Sequence, residues 1–142
     1  MPRIDFYVLP DASPQGRHLL ACRLTEKALA QGLDVYVHTE SREQARVLDD
    51  LLWTYKDVGF IPHALDDDPQ AGAVPVVLGH GAGSHPGQAG VLINLNTAVP
   101  DFFERFERIT ELVDQSEAVK QGARQRFRFY KERGYIPSTH NL

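Results

Sequence analysis

Apolar residues recur along this chain with two periods, and the switching between them predicts its elements. Arg3 to Leu9, RIDFYVL, is rich in β-branched and aromatic residues and is closed by Pro10-Asp11, which predicts a strand and its turn. In SPQGRHLLACRLTEKALAQG the apolar residues Leu19, Leu20, Leu24, Ala28 and Leu29 return at three-to-four spacing. That is a helix, with Ser13 as its expected cap, Pro14 in its first turn and Gly32 at its end. LDVYVH, Leu33 to His38, predicts a second strand, and Ser41 with Gln44 three positions on forms a capping box opening the helix REQARVLDDLLW. FIPHAL is short and extended, PVVLG and VLINLN are the next strands, and DFFERFERITELV is expected to be an amphipathic helix capped by Asp101. Strand and helix in alternation predict an α/β fold, a mostly parallel sheet flanked by helices in three layers. The loops DDDPQAGAVP and GHGAGSHPGQAG are each flanked by strands of the same sheet, so one domain spanning 1–142 is expected.

Composition narrows this picture only slightly. With 42% hydrophobic and 24% charged residues over 142 positions, the chain is of globular type and long enough for one core. The single Cys22 excludes a disulfide framework and suits a reduced compartment. No apolar run approaches the length of a membrane span, so a cytoplasmic protein with no membrane attachment is expected.

Charge changes it more. The net charge is −4, yet Gln115 to Gly134 holds six cations against Glu117 and Glu132, a local +4 that leaves −8 for the remainder. A basic patch on an acidic body favours a local anion over a long polyanion, whose phosphates the flanks would repel. The stretch RQRFRFYKERGY begins with strand-like alternation, but this fails at Tyr130-Lys131, and helix is the better reading. At about 100° per residue, Lys120, Arg124, Phe127, Arg128 and Lys131 fall within one sector of roughly 100°. Val119, Ala123 and Tyr130 form an adjacent stripe suited to packing on the sheet, and Gly134 ends the helix. Cations near a helix C-terminus also complement its dipole, so part of the clustering has a purely stabilising explanation. An aromatic ring among four cations, however, makes an apolar pocket with a cationic rim, suited to a peptide ending in a hydrophobic side chain and a carboxylate. Arginine can grip such a carboxylate with two parallel hydrogen bonds.

The remaining candidates for chemistry fail on residue type. GHGAGSHPG follows an apolar strand, but no Lys or Arg occurs between Lys56 and Arg105, so a P-loop is excluded. The dinucleotide fingerprint also fails, since Gly79 and Gly81 are followed by Ser84, and Gly81 and Gly83 by Pro86. Ser84 beside His85 lacks the glycines of a nucleophile elbow, where Ala82 and Pro86 stand, and His80 with His85 has no nearby acid to complete a metal site. No catalytic centre, cofactor or metal is nominated. In LLWTYKDVGFIPHAL, by contrast, Trp53, Tyr55, Phe60 and Ile61 are more aromatic and apolar surface than this segment can easily bury, and Pro62 limits strand pairing there. Such a patch suits anchor residues for a protein partner, or a cap on the core.

FYVL near the start, LDDLLWTYKDVGFIPHAL at the centre and AVKQGARQRFRFYKERGY near the end together resemble the chi-subunit family of bacterial DNA polymerase III, in order over nearly the whole chain. The resemblance implies a Rossmann-like fold without nucleotide chemistry and a non-catalytic adaptor of the clamp loader. It implies two partners, the acidic C-terminal tail of single-stranded DNA-binding protein and the psi subunit, with a repair helicase as a further candidate for the aromatic patch. By position, Lys120, Arg124, Phe127, Arg128 and Lys131 would hold the tail, and Trp53, Phe60, Pro62 and His63 would face psi. Nucleic acid would then be contacted only indirectly, in the replisome, by a protein monomeric until a partner docks. The alternatives are direct nucleic-acid binding by the basic helix, which the −8 remainder disfavours, and a nucleotide-dependent enzyme on the same fold.

Overall fold

The computed structural model describes residues 2–13, 15–54, 61–81 and 90–142. Its strands are β1 (Arg3–Val8), β2 (Val35–His38), β3 (His63–Leu65), β4 (Val76–Gly79), β5 (Val91–Asn94), β6 (Arg108–Val113) and β7 (Ser138–Asn141). They form one sheet in the order β3-β4-β2-β5-β6-β1-β7, and every pairing is parallel. Helices α1 (Gly16–Ala30) and α2 (Arg42–Thr54) cover one face, where Leu20 and Leu48 pack on Val35, Val37, Val76 and Ile93. Helix α3 (Glu117–Glu132) and the Phe102, Phe103 and Phe106 rings cover the other, against Ile4, Phe6, Tyr36, Leu92 and Ile109. The central strands are therefore apolar without alternation, as burial on both faces demands. The result is the three-layer α/β arrangement that the strand-helix rhythm predicted, Rossmann-like as the family resemblance implied.

Local signals act as expected at several boundaries. Ser41 Oγ accepts from Gln44 N at 3.1 Å, while Gln44 Oε1 accepts from Glu40 N at 2.8 Å, so the capping box opens α2 with its return bond one residue upstream. Gly32 and Gly134 take φ of 76° and 88°, the left-handed turn that ends α1 and α3 and that a Cβ would disfavour. Cys22 is buried in α1, and burial pushes its thiol up to about 12, so it is an inert packing group.

Two expectations require correction, and one strand escaped the sequence reading. Ser13 does not cap α1: its N–H is held by Asp11 Oδ1 at 3.2 Å in an Asx turn, and the helix begins at Gly16 behind Gln15, which makes no side-chain cap. DFFERFERITELV is not a helix. Phe103–Arg105 is a single 3-10 turn, and RITELV is strand β6, wedged between β5 and β1. The helical spacing of Phe102, Phe103 and Phe106 masked a β-branched run in which Ile109, Thr110, Glu111, Leu112 and Val113 are all buried because both faces are covered. Finally, β7 was not foreseen, since STHN is polar, exposed along its length and carries none of the apolar alternation that marks a strand.

At the carboxyl end of β2, burial lowers the His38 imidazole to about 4, with a smaller push from His80 and an opposing pull from Asp66. The ring is therefore neutral near pH 7, with Nε2 facing Asn96 Nδ2 at 3.3 Å and Nδ1 facing the Tyr36 hydroxyl at 3.4 Å. A buried histidine whose folded value lies below its unfolded one, about 6.5, contributes stability above pH 6.5 that is lost as pH falls toward 4. Over that window the protein is expected to lose about 2 to 3 kcal/mol through this residue. Urea titrations should show the decline to be shallower by that amount in His38→Gln, and equal declines in both proteins would contradict the assignment.

Candidate functional site

Helix α3 lies over β6 and β1, and the cleft on its outer side is an open pocket of about 640 Å3. Its apolar walls come from alternate residues of β1, Phe6 and Val8, with Val113 at the end of β6 and Ala123 on the helix; Thr139 of β7 closes one side. Phe127 is half-buried and packs on Phe6, with ring centroids 5.2 Å apart at 60°. Lys120, Arg124, Arg128 and Lys131 line the same pocket, so all five residues that the helical wheel grouped meet at one cavity. The Lys131 ammonium stands 5.9 Å from the Phe127 ring centre, and Lys120 has a weak intrahelical partner in Glu117 at 3.8 Å. Arg124, Arg128 and Lys131 are exposed and make no ion pair among the described residues. An apolar floor beneath unpaired cations is a place for a group that is hydrophobic at one end and anionic at the other.

The roll of α3 that creates this face depends on residues that the sequence reading did not single out. Arg126 is buried and points inward: its Nε donates to Glu111 Oε1 at 2.8 Å and its Nη1 to the Thr97 carbonyl at 3.0 Å. Glu111 also accepts from the Tyr130 hydroxyl at 2.7 Å and from Asn94 Nδ2 at 2.9 Å. Burial, then the Glu111 charge and this hydrogen bond, raise the Tyr130 phenol, which stays protonated and donating. A signal was present, because on the wheel Arg126 sits at about 240°, beside the Val119, Ala123 and Tyr130 stripe and away from Lys120, Arg124, Arg128 and Lys131. Gly122, in the helix interior where glycine costs about 1 kcal/mol relative to alanine, has a steric reason: a Cβ there would meet Arg126 Nη1 at 2.9 Å.

The central aromatic patch is partly described. Trp53, on the last turn of α2, is 56% exposed, and Pro62 is exposed, whereas Ile61 is buried. His63 is not itself on the surface. It lies beneath the Trp53 ring, centroids 4.8 Å apart, with Nδ1 2.6 Å from the Ile61 carbonyl and Nε2 3.1 Å from that of Asp49. Burial raises the Asp49 carboxyl, opposed by His63 and by a hydrogen bond from Trp53. The indole ring is thus turned outward over His63. Phe60 and Tyr55 lie outside the described residues, as do Ser84 and His85 of the glycine-rich loop. Among the described residues no group of three His, Cys, Asp or Glu is gathered to hold a metal, and no helix is long and apolar enough to cross a membrane.

Fold and pocket together define a three-layer α/β protein carrying a cationic-rimmed apolar cleft on its final helix. Residues 1–138 match the family described as DNA polymerase III chi subunit, HolC, and the chain belongs to that family. It is 43% identical over 142 residues to DNA polymerase III subunit chi of Pseudomonas aeruginosa, covering 100% of this chain and 98% of that one. It is 28% identical over 143 residues to the Escherichia coli subunit, covering 98% and 97%. The structure also resembles that of the C-terminal domain of the DEAD-box protein Dbp5, with a TM-score of 0.68 over 99% of this chain and 90% of that one. At 8% identity that likeness concerns the fold alone. Family membership makes the chain an accessory subunit acting in DNA replication alongside other replication proteins.

Within α3 the arginines divide into Arg126, buried against Glu111, and Arg124 and Arg128, which are exposed. Arg126→Ala strands the Glu111 carboxylate in the interior and is expected to cost about 3 to 5 kcal/mol in denaturant unfolding. Arg128→Ala, at an exposed position two residues on, should stay within about 0.5 kcal/mol of the parent. Similar losses in the two variants would mean that Arg126 does not hold the helix in place.

Proposed function

We propose that this protein is a non-catalytic adaptor of the clamp-loader complex that holds the acidic C-terminal tail of single-stranded DNA-binding protein in the α3 pocket. The observation that carries the reading is the pocket itself, apolar on its floor, rimmed by four cations, three of them without an ion pair among the described residues. In this reading the tail's last side chain packs on the floor that Phe127 and Phe6 form together, and its terminal carboxylate is clamped by Arg124, with Lys120 alongside. Arg128 and Lys131 meet the acidic residues that precede the end, where each contact adds on-rate and specificity more than affinity. The −8 carried by the rest of the chain disfavours a long polyanion, so nucleic acid is reached through the coat protein, and the protein acts as one cytoplasmic domain.

The second surface serves the psi subunit. A tryptophan 56% exposed, with its ring seated on buried His63, is an aromatic anchor, and exposed Pro62 extends it. A repair helicase would compete for the same surface. The two surfaces are served by different elements, α2 with the β3 approach for psi and α3 with β1 for the tail, so they separate experimentally.

Two measurements test this. In calorimetry with a tail peptide, Arg124→Ala is expected to weaken binding by about 2 to 5 kcal/mol, and the parent should discriminate equally strongly against a peptide lacking the last residue. Equal binding of the two peptides by the parent would remove the carboxylate clamp. Trp53→Ala should weaken psi binding by at least about 1 kcal/mol and leave the tail peptide's affinity unchanged, and loss of both together would point to misfolding rather than two surfaces.

A further inference from the structure

Strand β7 is the outermost of the sheet and is bonded on one side, to β1. The Leu142 N–H donates to the Val8 carbonyl at 2.9 Å. Since successive residues of a strand direct their backbone groups to opposite edges, Ser138, His140 and Leu142 address β1, and Thr139 and Asn141 turn their N–H and C=O outward. Natural sheet edges are usually guarded by charged side chains, by bulges or by a covering element. Shortness and Pro137 limit this edge, but none of Ser138, Thr139, His140 and Asn141 carries a fixed charge, and all four are exposed. Ile136, 90% exposed, and Leu142, 52% exposed, flank the strand with apolar surface. Thr139 also lines the α3 pocket beside Phe6, so the open edge begins where the pocket ends.

We propose, resting on the tail reading above, that the acidic residues just before the tail's last side chain leave the pocket over Thr139 and add to β7 as an eighth strand. Their backbone groups bond to the outward N–H and C=O of Thr139 and Asn141, the strand-addition mode of peptide recognition. None of the four β7 side chains is acidic, the neighbouring Asp5 carboxylate is engaged by His140 Nε2 at 2.8 Å, and Arg128 and Lys131 of the pocket rim are of opposite sign to the acidic residues. Affinity would then come from main-chain bonds as well as from the terminal clamp, with little demand on which acidic residues precede the end.

The test uses the full chain and a short acidic peptide ending in phenylalanine. Saturating peptide should slow amide hydrogen exchange at Thr139 and Asn141, and N-methylation of the peptide bonds upstream of the last residue should weaken binding about fivefold per lost bond. Asn141→Pro removes an outward N–H without touching a β1 bond and should cause a similar loss at an unchanged melting temperature. If the peptide binds with its carboxylate dependence intact while exchange is unaltered and the methylated peptides bind equally well, the added strand is wrong and the pocket reading stands. If no acidic peptide binds, both are wrong.

Discussion

The buried carboxylate of Glu111 is the fixed point of this structure. It sits in β6, between β5 and β1, and accepts from Arg126, Tyr130 and Asn94, so that one side chain ties the final helix to two strands at once. A charge this deep is tolerable only when its partners are all present. That requirement sets the roll of α3 about its axis: with Arg126 and Tyr130 turned inward, Lys120, Arg124, Arg128 and Lys131 have no choice but to face outward over the β1 side of the sheet. Gly122 belongs to the same constraint, leaving the space that the Arg126 guanidinium occupies.

Phe127 lies at the boundary between these two halves of the helix. It touches Phe6 on the core side and Lys131 on the open side, so the floor of the pocket is continuous with the hydrophobic core and cannot shift independently of it. A floor built this way is pre-organised, and a ligand seated on it loses little affinity to reordering the protein. A related arrangement is present at Trp53, whose exposed ring rests on the buried His63 imidazole, centroids 4.8 Å apart.

How far the sequence foretold this depends on which residues carry a periodic signal. The five residues of the cationic face were legible because they share one helix, whose 3.6-residue period brings them together without reference to the rest of the fold. The opposite wall was not, since Phe6, Val8, Val113 and Thr139 come from three strands whose adjacency follows only from the strand order. Strand β6 was misread because the aromatic spacing before it imitates a helix, and because a strand buried on both faces loses the alternation by which strands are known. Strand β7 escaped for the opposite reason. It is polar throughout and held by pairing to β1, a long-range contact that no local pattern encodes.

The likeness of this fold to the Dbp5 domain shows how little of the function resides in the sheet itself. In open parallel sheets the habitual ligand site is the crevice beyond the carboxyl ends of the strands. Here that end presents His38, kept neutral by burial, and Asn96, whose amide is spent on Thr39 and His38. A cluster of exposed cations without ion pairs among the described residues lies instead on the flank, along α3, beside a sheet edge that carries no fixed charge. Acidic surface elsewhere makes this contrast stronger, because a short anionic segment can sit on a local basic strip while a long polyanion cannot avoid the repelling remainder. Selection between a peptide end and a nucleic-acid backbone would therefore be a matter of ligand length against patch length, a discrimination that an acidic body enforces without any further contact.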